Sequence, residues 1–164
     1  MAATTRLGAE AARLFAEYLD KIDTAVAPLA QEQVWWRANE NSNSIGNLVL
    51  HLVGNLSQWV LAGLGGEPYE RQRAAEFAAR EGAPLGELLA RLRSVVQRCV
   101  AVAESTDDEA LAASHEIQRY RRDGFAVLLH AVEHMAYHTG QIVLLAKQLV
   151  PEAEIEFYPH LKRR

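Results

Sequence analysis

The sequence predicts an all-α chain: a four-helix bundle with a long crossover connection. Three observations lead there. Apolar residues recur at helical spacing in four long stretches. No segment shows a convincing strand alternation. Breakers also fall between the stretches, at Pro28, at Gly63-Leu64-Gly65-Gly66 followed by Pro68, and at Pro151. Four amphipathic helices bury their stripes most simply against one another. A length of 164 residues suits one domain, 1–164, without an internal repeat.

The first helix is expected over about 7–26. Leu7, Leu14, Tyr18, Ile22 and Val26 form its stripe, with Phe15 beside it and Ala11 as a small member. After Pro28 comes a connector, Gln31-Glu32-Gln33-Val34-Trp35-Trp36-Arg37, whose indoles are placed as a lid over one end of the bundle. The Asn- and Ser-rich loop 39–43 leads to a cap at Ser42, Asn43 or Ser44. A second helix follows over about 45–62. The segment 68–84 is a charged, alanine-rich excursion, in part helical.

A third helix spans about 85–103, with Leu85, Leu88, Leu89, Leu92, Val95, Val96 and Cys99 on its apolar face. Thr106-Asp107-Asp108-Glu109 reads as a capped short turn or helix. The segment 114–122 is ambiguous between helical and extended chain. Asp123-Gly124 opens the fourth helix, about 125–149.

Composition excludes several classes. Apolar residues make up 49% and charged residues 23%, the balance of an ordered soluble chain. Seventeen Lys and Arg against 21 Asp and Glu give a formal charge of -4, which argues against a nucleic-acid backbone as partner. Arg119-Tyr120-Arg121-Arg122 and Lys162-Arg163-Arg164 are read as a solvated face and a tail. No stretch approaches the roughly 20 apolar residues of a membrane span, and Met1-Ala2-Ala3-Thr4-Thr5-Arg6 lacks the apolar run of a signal peptide. A cytoplasmic location is the expectation. Cys99 is the single cysteine, and its apolar surroundings predict a buried, inert thiol.

Chemistry concentrates in the second and fourth helices. In Ile45-Gly46-Asn47-Leu48-Val49-Leu50-His51-Leu52-Val53-Gly54-Asn55-Leu56-Ser57-Gln58-Trp59-Val60 the larger polar residues Asn47, His51, Asn55 and Gln58 lie on one stripe. An exposed stripe usually carries charge, and this helix has none. The stripe is therefore expected to face a polar cavity, because buried polar groups without partners cost about 1–3 kcal/mol each.

The fourth helix carries His130, His134 and His138, spaced by four. His130 and His138 stand roughly 12 Å apart along a helix axis, too far for one ion with bonds near 2 Å. Either adjacent pair has workable spacing, and His134 belongs to both. His51 is the natural third ligand.

These residues resemble the DinB/YfiT-like superfamily of metal-binding four-helix bundles. The resemblance rests on His51 within Asn47-Leu48-Val49-Leu50-His51-Leu52-Val53-Gly54-Asn55, and on His134 and His138 within Glu133-His134-Met135-Ala136-Tyr137-His138-Thr139-Gly140-Gln141-Ile142. The His-Thr-Gly-Gln-Ile ending is its specific element. Ile117-Gln118 and Phe157-Tyr158-Pro159-His160-Leu161 resemble a bacterial subgroup. The similarity runs over about 7–161, and segment 68–84 carries none of its signal.

The resemblance implies the ligand set His51, His134 and His138. It leaves His130 as a neighbour, at the bundle end or one step behind the ligands. His115 and His160 match no ligand position and are placed at the surface. The implied ion is a divalent transition metal, zinc or nickel first, with iron, manganese, cobalt and copper admitted. Three neutral imidazoles leave a coordination position open, as in catalytic sites, and coordination lowers the pKa of water toward about 7.

By resemblance the activity is metal-assisted hydrolysis or transfer to a low-molecular-weight thiol. The alternative is a non-catalytic, stress-related bundle that binds metal or a small molecule and self-associates. A small-molecule substrate and a homodimer are expected, with no nucleic acid and no membrane. No catalytic residue is assigned beyond the metal set. Glu133 and Tyr137 point about 100° away from the ligand face. Asn55, Gln58 and Gln141 are better placed to orient a ligand or water.

Overall fold

Four long helices form the body of the computed structural model, which describes residues 4–158. Helix α1 (Arg6–Val26) starts where the Thr5 hydroxyl accepts a hydrogen bond from the Gly8 amide at 3.1 Å. It packs against α5 (Leu85–Ser105) and α7 (Gly124–Leu149). Helix α3 (Ile45–Leu56) packs against the same two partners. The predicted all-α bundle and its four long helices are present.

The stripe of α1 is rotated from its expected position. Gly8, Ala11, Ala12, Phe15, Leu19, Ile22, Ala25 and Val26 are buried, whereas Leu7, Leu14 and Tyr18 lie only partly covered at the edge. Small residues let α1 approach closely along this line. A Cβ on Gly8 would meet the Ala103 carbonyl oxygen of α5. Size at the contact, and not hydropathy alone, set which face turned inward.

Among the described residues, the connections carry three short helices: α2 (Gln31–Val34), α4 (Arg73–Ala78) and α6 (Asp108–Ala112). The stretch read as a capped short turn or helix is α6, with Asp107 as its cap, accepting from Ala110 N at 2.8 Å. Trp35 is half-buried against Gly46 and Gly82, over the start of α3, while Trp36 is largely exposed. The lid is therefore one indole and not two.

The ambiguous segment is extended. It forms an antiparallel hairpin, β1 (Ser114–Ile117) and β2 (Tyr120–Asp123), with Ser114 opposite Asp123 and Ile117 opposite Tyr120. These strands lack an apolar alternation because the hairpin is nearly all exposed; only Ile117 is buried, against Trp59 and Val127. Its two-residue loop places Gln118 (φ 53°) and Arg119 (φ 75°) in the left-handed region. Loops of this length favour that backbone but usually fill it with Asn or Gly.

Helix α3 begins at Ser44, one of three caps the sequence allowed. Its hydroxyl accepts from Asn47 N, and the Asn47 carboxamide oxygen accepts from Ser44 N, each at 3.1 Å. After Leu56 the same helix widens into π-helical turns over Ser57–Ala62, with Gly63 N bonded to Gln58 O at 3.1 Å. By length and composition alone the stretch Ile45–Ala62 meets the requirement for a membrane span, which the sequence reading had not granted it. Of that window 78% is buried inside the bundle, so it is a core helix here.

Pro159-His160-Leu161, Lys162-Arg163-Arg164 and Met1-Ala2-Ala3, all used in the sequence reading, lie outside the described residues.

Candidate metal centre

Helix α3 brings His51 to the interior, and α7 brings His134 and His138 to face it. One ligand-capable atom from each of the three rings lies within 4.8 Å of the other two. The Nε2 atoms of His51 and His134 are 3.0 Å apart. Two nitrogens bound to one ion at about 2 Å stand roughly 2.9–3.3 Å apart, so the pair fits a shared ion. The His138 ring stands edge-on to both neighbours, 4.9 Å from His51 and 4.5 Å from His134 between centroids.

The other ring nitrogen decides how each imidazole is presented. His51 Nδ1 lies 2.9 Å from Glu76 Oε2 and 3.0 Å from Arg71 Nη2; with its proton on Nδ1, donated to the carboxylate, the Nε2 lone pair is left for a ligand role. His138 Nδ1–H donates to Gln141 Oε1 at 2.7 Å, with the same result. Gln141 thus orients a ligand candidate, as its position on α7 suggested. His134 Nδ1 is buried and has no hydrogen-bond partner.

Glu76 comes from α4, in the excursion that carried no recognisable signal. Its carboxylate is gripped by Arg71, with Nε to Oε1 at 2.7 Å and Nη2 to Oε2 at 2.8 Å. The Arg71 side chain is only 4% exposed, so this is a buried, bidentate ion pair. Arg71 Nη1 also donates to Gln58 Oε1 at 3.2 Å, and Gln58 Oε1 accepts a further hydrogen bond from Gln118 Nε2. A polar chain therefore runs from the hairpin tip through Gln58, Arg71 and Glu76 to His51.

The polar stripe of α3 divides into different tasks. His51 and Asn55 face a cavity of about 380 Å³, and the Asn55 Oδ1 atom is buried without a partner. Gln58 is committed to Arg71. Asn47 points away from the cavity and pins α4, donating to the Glu76 and Ala79 carbonyls at 2.8 and 2.9 Å. The expectation of one cavity-facing stripe is thus met by two of its four members. Asn47 departs because the excursion folds back over that end of α3.

Burial drives the His134 imidazole down to about 3, and the nearby His138, His51 and His130 rings push the same way. Burial lowers His138 too, against the opposing hydrogen bond to Gln141. Burial raises the Glu76 carboxyl, but hydrogen bonds with His51 and Arg71 outweigh it and hold the group below the usual range. Burial thus favours the neutral form of His134 and His138, beside an internally neutralised ion pair. Soft-to-borderline nitrogen donors in that state suit a divalent transition metal.

The remaining candidates lie elsewhere. His130 stacks on Trp59 at 4.0 Å and lines the cavity 5.5 Å from the His134 ring. Tyr137 and Glu133 point to solvent, although the Tyr137 ring touches that of His138 edge-on. His115 is half-buried on β1, with Nε2 3.4 Å from the Ala110 carbonyl. Cys99 is fully buried and its thiol is pushed up to about 12 by burial. Trp35 and Trp36 take no part in the cavity.

The profile of one family covers residues 3–157 of this sequence. The chain belongs to the DUF1572 family, described as protein of unknown function. No curated protein matches it. Solved structures show that DUF1572 here takes the fold of DinB-like proteins. A DinB-like protein of Bacillus subtilis superposes with a TM-score of 0.68 at 19% identity, over 91% of this chain and 97% of that one. A DinB-like protein of Bacillus cereus ATCC 10987 gives 0.68 at 15% identity, over 88% and 93%. A conserved protein of Enterococcus faecalis gives 0.73 at 13% identity, over 87% and 96%. In this DUF1572 chain, Glu76, Arg71, Arg73, Trp59 and the hairpin residues Gln118, Tyr120 and Arg122 are site components that sequence reasoning missed.

The one signal for Glu76 is Gly54, three residues after His51 in an uncharged helix. A Cβ there would lie 2.1 Å from Glu76 Oε1 and 2.9 Å from Arg71 Nε. A glycine inside a helix marks the close approach of another group.

Proposed function

We propose that the protein is a metal-dependent enzyme acting on a small molecule. His51, His134 and His138 hold a divalent transition ion, zinc or nickel first, and the adjoining cavity admits the substrate. The observation that carries this reading is the joint presentation of the rings. Glu76 and Gln141 occupy Nδ1 of His51 and His138, and the His51 and His134 Nε2 atoms meet at 3.0 Å beside an open cavity.

A divalent ion held by three imidazoles supplies Lewis acidity and lowers the pKa of a water or thiol that joins it. The chain supplies the rest. Glu76 fixes the His51 tautomer, Arg71 keeps Glu76 ionised, and Gln141 fixes His138. Asn55 lines the cavity beside the imidazoles. The reaction is hydrolysis or transfer to a low-molecular-weight thiol. Cys99 is not that thiol, because it is buried in the core and protonated at neutral pH.

Metal analysis of protein purified without a polyhistidine tag tests the proposal. About one equivalent of a transition metal is expected. His51→Ala and His138→Ala lose it, and His130→Ala keeps it. Less than about 0.2 equivalents, with no uptake of added zinc, nickel or manganese, overturns the reading. Metal-free protein that stays folded supports a catalytic ion over a structural one.

We retain the homodimer expected from the sequence as a proposal. Helix α3 is buried and offers no face, whereas α7 exposes Phe125, Leu129, Tyr137 and Leu144 along its outer side. The outer side of α7 is the proposed contact.

A further inference from the structure

The cavity beside the imidazoles is lined by three arginines, Arg71, Arg73 and Arg122, and by no acidic residue. Arg71 is neutralised by Glu76. The other two are not neutralised: among the described residues no carboxylate oxygen comes within 4.0 Å of Arg73 or Arg122. They enter from separate elements, Arg73 at the start of α4 and Arg122 on β2. The Arg73 guanidinium lies over the Phe77 ring at 4.9 Å, and that of Arg122 over the Tyr120 ring at 5.5 Å. A cation–π contact to a ring leaves a guanidinium able to make a forked contact through its N–H groups as well. Arg122 engages one of its N–H groups in a long bond to the Arg121 carbonyl, 3.4 Å.

Between this cationic rim and the imidazoles runs a row of flat side chains. The Tyr120 and Trp59 centroids are 6.3 Å apart, Trp59 and His130 4.0 Å, and His130 and His134 5.5 Å. The row ends at His51 and His138.

We infer that the cavity takes a small substrate bearing an oxyanion, a carboxylate or phosphate, which docks on Arg73 and Arg122 while its other end lies along the aromatic row toward His134. Guanidinium forks match the two-oxygen geometry of either anion. The absence of any lining carboxylate disfavours a cationic ligand. The inference deepens the enzymatic reading by naming the substrate class, yet anion docking itself requires no metal.

Calorimetric titration at fixed ionic strength tests it, with inorganic phosphate in one arm and succinate in the other, on zinc-loaded and zinc-free protein. Saturable binding of at least one anion is expected. Arg73→Gln and Arg122→Gln should each weaken it about tenfold, the scale of one charge-assisted hydrogen bond. Arg122→Lys should show a smaller loss, because charge remains while the fork is gone. Zinc uptake by the double variant should match the unsubstituted protein, which shows that it is folded at the site.

Either of two results overturns the inference: no saturable binding of either anion below about 10 mM, or equal binding by the double variant. Preferential binding of a single-stranded oligonucleotide through the same arginines overturns it as well. Failure of zinc uptake with anion binding intact would sink the metal reading alone.

Discussion

The Nδ1 of His51 lies 2.9 Å from Oε2 of Glu76, a residue 25 positions further along the chain and buried with it. The carboxylate favours the tautomer in which Nε2 keeps its lone pair, and it orients the ring. Glu76 can remain ionised in the interior because Arg71 meets both of its oxygens. Presentation of His51 therefore depends on an ion pair that neither α3 nor α7 supplies.

Glu76→Gln retains an acceptor near His51 but removes the charge. Zinc affinity should fall about 10- to 100-fold, read by competition with a chelating dye. Glu76→Ala does more damage, because it strands the Arg71 guanidinium in the interior. A loss of about 3–5 kcal/mol in urea unfolding is expected for the metal-free protein. Unchanged zinc affinity in Glu76→Gln would show that the carboxylate does not support the ligand.

Acid should destabilise the metal-free protein over a defined window. Burial lowers His134 to about 3 and also lowers His138 and His130 below 6.5. The unfolded chain therefore takes up protons near 6.5 that the folded chain refuses. The contribution of these rings is complete above pH 6.5, falls as pH drops below it, and levels off once His134 itself protonates near 3. Glu76, held below 4.5, adds stability above that pH and loses it below. Urea midpoints measured from pH 7 to 4 should decline, and His134→Asn should flatten the decline. A flat profile in the unsubstituted protein would contradict the environment described for His134.

Relief of backbone strain offers a gain. Arg119 sits at φ 75° in the hairpin loop, where a Cβ is disfavoured by about 1–2 kcal/mol. Arg119→Gly should raise stability by about 0.5–1 kcal/mol, net of the extra freedom glycine has when unfolded. Thermal unfolding measures it, and a lower midpoint would refute the loop geometry.

The outer side of α7 gives a test of self-association. Leu129→Asp and Leu144→Asp alter side chains that are 50% and 59% exposed, so the fold should tolerate them. Sedimentation at rising concentration should show a dimer that the double variant loses. A monomer throughout, in the unsubstituted protein, would reject the contact.

The long helices were legible because each carries several turns of apolar periodicity and ends at Gly, Pro or an Asx/Ser cap. His51, His134 and His138 could be paired because four-residue spacing on α7 and the uncharged character of α3 limit the choices. Glu76 and Arg71 were not legible. Helix α4 has six residues, too few for a period, and its alanine-rich, charged sequence reads as a solvated surface. Only tertiary packing reveals that the segment is pinned by Asn47 and accommodated by Gly54. The hairpin was hidden for a related reason, since its register depends on Ile117 reaching Trp59 and Val127 and not on any alternation of its own. The shift of the α1 stripe from Leu14 to Phe15 shows that hydropathy names the helix before it names the inward face.

The π-helical turns after Leu56 bear on how the gene can change. In a regular α-helix Trp59, eight positions beyond His51, would stand about 80° around the axis from it. A π turn advances each residue through a smaller angle, and Trp59 lies on the cavity wall with His51. Loss of a single codon within 57–62 would restore ordinary winding with almost no change in composition. A loss ahead of Trp59 would leave the indole seven positions beyond His51, about 20° around the axis and still on the cavity side. At this point in the chain a one-residue change of length is absorbed as winding, so the gene can gain or lose a codon here and keep the indole on the cavity wall.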